Sequence, residues 1–317
     1  MHSNSLADYR LFCKTAPTDF PVFMQDWYLD AICSDGSWDA IVLKESDKIV
    51  GVWPFFLKKK LWWTYIAMPL LGKMMGPYLI PTCRSLSKQM HLLEKMMEQL
   101  PPDLAAFQQD FNYTQTNWLP FFWKGYQQTT RYSYCLDLKQ PETTLWKNIS
   151  NSYRKKISKA SEKLKVCSNL PVEQLHRLCK LSFTRQGIEF PLSIDRLRAI
   201  HDVFINHQAG RCFFASDPIS GAIHSAAFLV WDQQTAYYLM AGDDPQFRAS
   251  GSAVLLQWKA IQFTQHELKL PIFDFEGSMI KAVEQGKRDF GASQQAYFRI
   301  RKEWSLLWKW GKILWRN

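Results

Sequence analysis

The sequence lacks paired cysteines and metal-spaced histidines. Its seven cysteines are scattered and never form a Cys-x-x-Cys pair, which argues against a disulfide framework or a zinc ribbon and favours a reducing compartment. The seven histidines show no metal-ligand spacing. We therefore expect no metal cofactor.

Long hydrophobic runs are also lacking. The longest apolar stretch, 61–71, has about 11 residues, whereas a transmembrane helix needs about 20. Residues 1–20 are interrupted by charges and lack the apolar core of a secretory signal. No Gly-x-Ser-x-Gly elbow or paired Cys and His arrangement indicates a covalent nucleophile. We expect a cytoplasmic protein.

Apolar residues and positive charge are abundant. The chain has 317 residues, of which 47% are hydrophobic and 14 are Trp, enough for two ordinary domains or one duplicated domain. The formal net charge of +10 favours an acidic partner such as nucleic acid, an anionic membrane face, a nucleotide-like cofactor or a phosphorylated substrate. A basic surface that only maintains solubility is the alternative.

The order of predicted elements repeats along the chain. A hairpin, a break, a helix and a short strand are predicted over 38–109 and again over 211–277. The composition changes at 139–142. We predict a mixed α/β fold (α+β, mixed sheet) with two similar subdomains, 1–140 and 141–302, a groove between them, and a basic aromatic tail at 303–317. A long basic helix is predicted over 144–166.

One strand-to-helix turn has the composition of an anion site. It contains Arg248, Gly251, Ser252 and Ala253. The first N–H groups of a helix lack intrahelical acceptors and attract anions, and glycine permits close approach of a phosphate. Any strand-to-helix turn can carry such residues, so the alternative is a purely structural turn. A bulky side chain at Gly251 is expected to block a phosphate while leaving the fold intact.

The pattern Arg248-x-x-Gly251-x-Ala253 resembles the pyrophosphate loop of GNAT acyltransferases. The resemblance implies that this loop, with Ser252, binds the diphosphate of acyl-coenzyme A. It also implies a bulge in the preceding strand that offers a backbone N–H to the acyl carbonyl. That bulge is expected at Leu239, Met240, Ala241 and Gly242.

Three further stretches resemble the FemABX-like branch of the GNAT superfamily, which has two GNAT-like subdomains in one chain. They are 151–156 (Asn-Ser-Tyr-Arg-Lys-Lys), 273–277 (Phe-Asp-Phe-Glu-Gly) and 286–291 (Gly-Lys-Arg-Asp-Phe-Gly). The resemblance implies a degenerate first subdomain and a donor that is acyl-coenzyme A or aminoacyl-tRNA. It implies an acceptor amine on a peptidoglycan or other glycan precursor.

Four residues are candidates for catalysis. Asp274 and Glu276 are predicted to lie on one strand and to face the same side, and paired carboxylates in an apolar strand often mark a site. A solvated strand end is the alternative. Lys287 would neutralise charge on the acyl carbonyl or bind a donor phosphate, or be an exposed lysine. Tyr297 would protonate the leaving group, as a tyrosine does in many GNAT enzymes, or be a core residue.

Other polar and aromatic features leave alternatives open. Asp243 and Asp244 are candidates for contact with an amine substrate. The tail 303–317 and the segment 58–63 combine Trp, Leu and Lys, which suits peripheral membrane contact. Packing against the body of the protein is the alternative for both. A non-catalytic GNAT fold that binds a lipid-linked or nucleic-acid partner is the alternative function. The oligomeric state is not indicated by the sequence.

Overall fold

A computed structural model of the protein shows two compact units. The first contains Met1–Arg131 and Ala296–Asn317, and the second contains Tyr132–Gln295. The structure describes residues 5–277, 279, 281–305 and 308. Most of the predicted tail, 306–307 and 309–317, lies outside the described residues.

The first unit has a sheet ordered β1-β2-β3-β5-β12, with β4 paired to β2. The strands are β1 (Ser37–Glu45), β2 (Lys48–Lys60), β3 (Trp63–Ala67), β4 (Tyr78–Leu79), β5 (Leu104–Asp110) and most of β12 (Ser293–Glu303). The helices are α1 (Ser5–Lys14), α2 (Asp26–Ile32), α3 (Leu86–Glu98) and α4 (Leu119–Trp123).

The second unit has a sheet ordered β6-β11-β10-β9-β8-β7. The strands are most of β6 (Gln127–Asp137), β7 (Lys165–Cys167), β8 (Gly210–Ser216), β9 (Ile223–Trp231), β10 (Thr235–Asp243) and β11 (Ile272–Asp274). The helices are α5 (Glu142–Asn148), α6 (Asn151–Lys163), α7 (Val172–Thr184), α8 (Ile194–Asn206), α9 (Ser252–Phe263) and α10 (Lys281–Asp289).

The two sheets repeat one topology. In the first unit, the successive pairs β1-β2, β2-β3, β3-β5 and β5-β12 are antiparallel, antiparallel, parallel and antiparallel. In the second, β8-β9, β9-β10, β10-β11 and β11-β6 follow the same series. A helix joins the parallel pair in each unit, α3 in the first and α9 in the second. The predicted mixed α/β fold and its internal duplication are confirmed.

The connection between the parallel strand and its helix differs between the units. In the first unit, the chain runs through 68–85, including β4, before α3 begins. In the second, α9 begins after the short segment 244–251. A compact strand-to-helix turn of the kind that binds phosphate is therefore a feature of the second unit.

The prediction of one long helix over 144–166 is wrong, because α5 and α6 are separate. Ser150 breaks the helix: its backbone is extended and its Oγ accepts a hydrogen bond from the Tyr153 N–H at 3.4 Å. The Ser150 N–H donates to the Asp289 carbonyl oxygen at 2.7 Å. A serine with extended backbone caps a new helix, because its side chain satisfies an orphan N–H group.

Each unit has its own apolar core. In the first, Trp53 is fully buried, and its indole N–H donates to Gln109 Oε1 at 2.7 Å. In the second, α9 packs on the sheet through buried residues that include Leu255 and Leu256. Burial of this kind supplies the main stabilising free energy of a domain.

Within the described parts of the chain, the structure contains no helix of the length and apolar character needed to cross a bilayer.

Candidate active site

The strand that precedes the candidate phosphate loop carries the expected bulge. The register between β10 and β9 shifts between Tyr238 and Met240, so that Leu239 has no opposite residue in β9. On its other side, β10 pairs with β11 only from Thr235 to Tyr237. In the described part of the chain, no strand pairs with β10 beyond Tyr237 on that side.

The loop after β10 is built from a capped turn and a left-handed glycine. Asp244 Oδ1 accepts a hydrogen bond from the Gln246 N–H at 3.0 Å, which starts the 3-10 turn Pro245–Ser250. Gly251 follows with φ +77°, and α9 begins at Ser252. The first-turn N–H groups of α9 lack intrahelical acceptors and carry the positive end of the helix dipole.

Gly251 lies against the basic helix α6. A Cβ at this position would lie 3.2 Å from the Lys156 carbonyl oxygen. The expectation that Gly251→Val leaves the fold intact is therefore not supported, because a side chain would meet α6 in a backbone conformation that suits glycine. The packing of Gly251 also brings α6 beside the start of α9.

The surface near this loop is basic. Arg248 is exposed, and so are several lysines along α6. These lysines are Lys155, Lys156, Lys159 and Lys163. Cations beside the positive end of a helix form a site suited to a polyanionic ligand.

The predicted donor-binding residues differ in their exposure. Leu239 and Met240 are buried, whereas Ala241 and Ala253 are exposed. Ser252 is buried and its N–H donates to Ser250 Oγ at 3.3 Å. Ala253, in the first turn of α9, is thus the predicted loop residue best placed to test ligand binding without disturbing the core.

Gly242 has a packing role. A Cβ on Gly242 would lie 2.3 Å from the Cys179 backbone nitrogen of α7. Only a residue without a side chain permits this close approach between helix and strand.

Asp243 and Asp244 are bound by side chains of α7 and by Arg185, which directly follows this helix. The Ser182 hydroxyl lies 3.0 Å from Asp243 Oδ1, and Arg185 lies 3.7 Å from the same oxygen. Arg177 lies 3.5 Å from Asp244 Oδ2. These contacts assign both carboxylates to the fold, which weakens their interpretation as ligands of an amine substrate.

Asp274, the last residue of β11, is fully buried opposite Cys135 of β6. Its Oδ1 accepts hydrogen bonds from the Ser133 hydroxyl and from the Glu276 backbone N–H, the latter at 2.7 Å. Burial raises the pKa of Asp274 to about 6, and the nearby Glu276 carboxyl also raises it, while the hydrogen bond from Ser133 opposes the rise. Asp274 thus combines a perturbed pKa with a fixed geometry.

Glu276 does not lie on β11, and the expectation that it faces the same side as Asp274 along one strand is wrong. The strand ends at Asp274, and Glu276 has φ +58°. Two hydrogen bonds fix this backbone conformation. The Glu276 N–H donates to the Asp274 carboxylate, and the Glu276 carbonyl oxygen accepts from the Lys287 ammonium group. A non-glycine residue with positive φ is strained, and such residues cluster at functional sites.

Lys287 belongs to the buried cluster. It is buried on α10, and its Nζ lies 5.8 Å from the centroid of the Tyr134 ring. The alternative of an exposed lysine is wrong. The two other residues of its motif have structural roles. Phe290 packs against Phe275. Gly291 lies against Asn148, because a Cβ at position 291 would be only 2.9 Å from the Asn148 Cβ.

Tyr297 belongs to the first unit, whereas Asp274, Glu276 and Lys287 belong to the second. Its hydroxyl accepts a hydrogen bond from Arg131 Nε at 3.4 Å. Burial raises the pKa of Tyr297, and the hydrogen bond from Arg131 opposes the rise.

Four polar residues of this region were missed by the sequence analysis: Ser133, Tyr134, Glu284 and Gln294. Tyr134 donates to Glu284 Oε1 at 2.8 Å and accepts from Gln294 Nε2 at 2.8 Å. Ser133, a small polar residue inside an aromatic strand, was the available signal. Their partners lie 141–160 positions away along the chain, so periodicity could not reveal the contacts.

No cluster of three or more His, Cys, Asp or Glu side chains suited to a metal ion occurs among residues 5–277, 279, 281–305 and 308.

Comparison of the sequence with known protein families agrees with the geometry of the second unit. Residues 147–287 match the model of an acetyltransferase (GNAT) domain. This segment of the chain is therefore similar to a GNAT acetyltransferase domain. The match covers the bulged strand, the capped loop, the basic helix and Asp274, and it confirms the resemblance to GNAT acyltransferases. No curated protein matches the chain by sequence.

Solved structures with both halves of the fold are also similar. FemX is 14% identical with a TM-score of 0.71, and the alignment covers 94% of this chain and 96% of FemX. A tandem GNAT protein from the clavulanic acid biosynthesis pathway is 11% identical with a TM-score of 0.58, over 95% of each chain. The C-terminal domain of a putative lysylphosphatidylglycerol synthetase from Agrobacterium fabrum is 12% identical with a TM-score of 0.57, over 94% of this chain and 92% of that domain. These likenesses show that the chain has a duplicated fold like that of FemX and of the tandem GNAT protein.

Proposed function

We propose that this protein transfers an acyl or aminoacyl group from a phosphate-bearing donor to an amine. The donor would be acyl-coenzyme A or aminoacyl-tRNA, and the acceptor an amine on a peptidoglycan or polysaccharide precursor. The proposal rests on one observation. In the second unit, the pairing between β10 and β11 ends at Tyr237 and Asp274, just before the bulge at Leu239. The buried carboxylate of Asp274 thus lies beside the point where β10 and β11 separate.

The donor's phosphates would bind at the start of α9. The first-turn N–H groups, the exposed Arg248 and the lysines of α6 supply positive charge at this point. Both candidate donors are polyanions, so the same surface suits either. A backbone N–H at the bulge would then hydrogen-bond the acyl carbonyl and stabilise the negative charge that develops on its oxygen.

The transfer forms a C–N bond and breaks the C–S bond of a thioester or the C–O bond of an aminoacyl ester. The amine must lose a proton as it attacks, and the leaving thiolate or alkoxide must gain one. We assign the role of base to Glu276 and a positioning role to Asp274. Asp274 has no exposed surface and accepts a hydrogen bond from the backbone N–H of Glu276, which is buried but 5% exposed. Asp274 would therefore act on the substrate through Glu276.

Lys287 and Tyr297 retain proposed roles. Lys287 would maintain the backbone of Glu276 and reduce the negative potential of the buried carboxylates. The role of Tyr297 as the proton donor to the leaving group stays a prediction from the family resemblance.

The name of one similar structure bears on the donor. The likeness to a putative lysylphosphatidylglycerol synthetase favours aminoacyl transfer, whereas the Arg248-x-x-Gly251-x-Ala253 pattern favours acyl-coenzyme A. The donor is therefore the first property to measure.

The test is the thermal unfolding midpoint of the purified protein with coenzyme A, acetyl-coenzyme A, aminoacyl-tRNA or uncharged tRNA. A ligand that binds the native state at about 100 times its Kd adds about 2.7 kcal/mol of stability. A saturable rise with the coenzyme A compounds would identify a thioester donor. A rise with charged tRNA that exceeds the rise with uncharged tRNA would identify an aminoacyl donor. No rise with any of them would contradict the proposal.

A further inference from the structure

The hairpin between β2 and β3 exposes two large apolar side chains in the first unit. Lys60 pairs with Trp63, so the turn consists of Leu61 and Trp62 alone. Leu61 is 69% exposed and Trp62 is 75% exposed. The sequence left open whether these residues pack against the body of the protein, and the structure shows both side chains largely exposed.

Leucine is an unusual residue type for the backbone conformation of this turn. Leu61 has φ +55°. Two-residue hairpin turns with positive φ favour glycine, asparagine or aspartate, because a larger side chain is strained there. Leucine here has neither the backbone preference nor the burial that would favour it. A residue that violates local preference without a gain in the folded state points to a function outside the isolated protein.

Positive charges flank the turn. Lys59 and Lys60 are exposed immediately before Leu61. Lys58 is half-buried and forms an ion pair with Asp35 at 2.8 Å. Lysines beside exposed leucine and tryptophan match an interface that is anionic at its surface and apolar beneath.

The turn contacts a group of packed aromatic rings. The Trp62 ring lies 4.8 Å from the Trp63 ring, centroid to centroid. Trp63 in turn meets Trp308 at 5.7 Å, edge to face, and Tyr65 meets Trp308 at 4.6 Å. These rings hold the exposed pair at the end of a packed hairpin, so its presentation requires no further ordering.

We propose that the β2–β3 turn, Lys59–Trp62, is a docking site for an anionic phospholipid bilayer. Leu61 and Trp62 would enter the interfacial region, and Lys59 and Lys60 would pair with lipid phosphates. This inference is independent of acyl transfer, because it uses residues outside the candidate active site. It would place the enzyme at a membrane surface, where a lipid-linked acceptor is also found.

A single-stranded or transfer RNA is the competing partner, because lysine and tryptophan also bind nucleic acid. The turn favours the membrane for one reason. Leu61 has no aromatic face for stacking on a base and no donor for a phosphate, yet it occupies the most strained position of the turn. Insertion into lipid uses Leu61, and base stacking does not.

The experiment is sedimentation of the full chain with vesicles of phosphatidylcholine alone and with vesicles containing about one-third phosphatidylglycerol. We expect binding to the anionic vesicles, weakened by salt. The affinity of the double variant Leu61→Ser/Trp62→Ser for these vesicles should fall by a factor of about ten or more, because the apolar contribution is lost. Lys59→Glu should weaken binding about fivefold or more, because each lysine near such a surface contributes a factor of that size.

The matched control is Ile219→Ser, which removes another apolar side chain, 96% exposed, from a turn in the second unit. It should bind as the native protein does. All variants should keep the native unfolding midpoint and donor-induced stabilisation, which separates this proposal from the proposed function.

Three results would overturn the inference. The first is no binding of the native protein to anionic vesicles. The second is equal binding by the double variant. The third is loss of tRNA binding in Trp62→Ser without any change in vesicle binding, which would assign the turn to nucleic acid.

Discussion

The ammonium group of Lys287 donates a hydrogen bond to the backbone oxygen of Glu276, eleven positions earlier in the chain. Asp274 accepts from the backbone N–H of the same residue. A strained backbone is thus held from both sides by buried charged groups, while the Glu276 side chain takes no part in either bond. Substitutions in this cluster can therefore separate the effects of backbone positioning from those of side-chain chemistry.

Lys287→Met should lower the free energy of unfolding by about 2 kcal/mol, because it removes a buried charged hydrogen bond. Urea unfolding at neutral pH measures the change. Lys281→Met is the control, since Lys281 is exposed on the same helix α10 and its loss should change stability by less than about 0.5 kcal/mol. Equal effects of the two variants would show that the bond contributes little.

Glu276→Gln should lower kcat about a hundredfold or more if Glu276 is the base, a typical contribution of general base catalysis. Its backbone bonds should be unaffected, because neither involves the side chain. Asp274→Asn retains an oxygen that can accept from Ser133 and from the Glu276 N–H, so we expect a loss of less than about tenfold. If Asp274→Asn is the more damaging variant, Asp274 is the base and our assignment is reversed.

Stability should depend on pH through Asp274. Burial raises its pKa to about 6 from an ordinary value of 3.8, so the folded state binds a proton more tightly than the unfolded state does. Protonated Asp274 therefore stabilises the folded state fully below about pH 4, and this stabilisation is lost as the pH rises through about 6. Relative to the native protein, Asp274→Asn should therefore gain about 2 to 3 kcal/mol of stability between pH 4 and pH 7.

The measurement for this prediction is urea unfolding of both proteins at several values of pH. A constant stability difference between them would show that the Asp274 pKa is not raised. Asp217→Asn is a useful control, because hydrogen bonds from the backbone N–H groups of Ile219 and Ser220 lower the pKa of Asp217. Its effect on the pH dependence should have the opposite sign.

Ala253→Asp should weaken donor binding about tenfold, because it places a negative charge in the exposed first turn of α9, where the donor phosphates are proposed to bind. The same charge is favourable to the helix dipole, so the stability of the free protein should not fall. Ser87→Asp, in the exposed first turn of α3, is the matched control and should leave donor affinity unchanged. Equal donor affinity in both variants would remove the start of α9 from the proposed site.

Gly251→Ala should destabilise the protein more than Gly187→Ala does. Both glycines have similar positive φ values, +77° and +70°, but only at Gly251 does a Cβ meet the Lys156 oxygen, at 3.2 Å. The backbone strain of about 1 kcal/mol is common to both variants, so the difference in urea unfolding measures the contact with α6. Equal losses would show that α6 shifts without cost.

Much of the order of elements and the strand-to-helix turn at 244–251 could be predicted from the sequence, because both depend on local patterns. Alternation and turn residues indicate strands such as β8 to β10, and the bulge near Leu239 followed from the family resemblance. The two separate helices α5 and α6 were missed because Ser150 looks like an ordinary helix residue. Its N-cap geometry depends on a contact with Asp289, which lies far along the chain.

The candidate active site was only partly accessible to sequence reasoning. Asp274 and Glu276 were identified as candidates because charged residues in an apolar segment are costly without a purpose, and Lys287 was identified through the family resemblance. Only the tertiary structure decided that Asp274 and Lys287 hold the backbone of Glu276, that Gly242 and Gly251 lie against helices, and that Leu61 and Trp62 remain exposed. The physical reason is that local conformation follows the backbone preferences of neighbouring residues, whereas burial and hydrogen-bond partners are set by segments that meet only after the chain has folded.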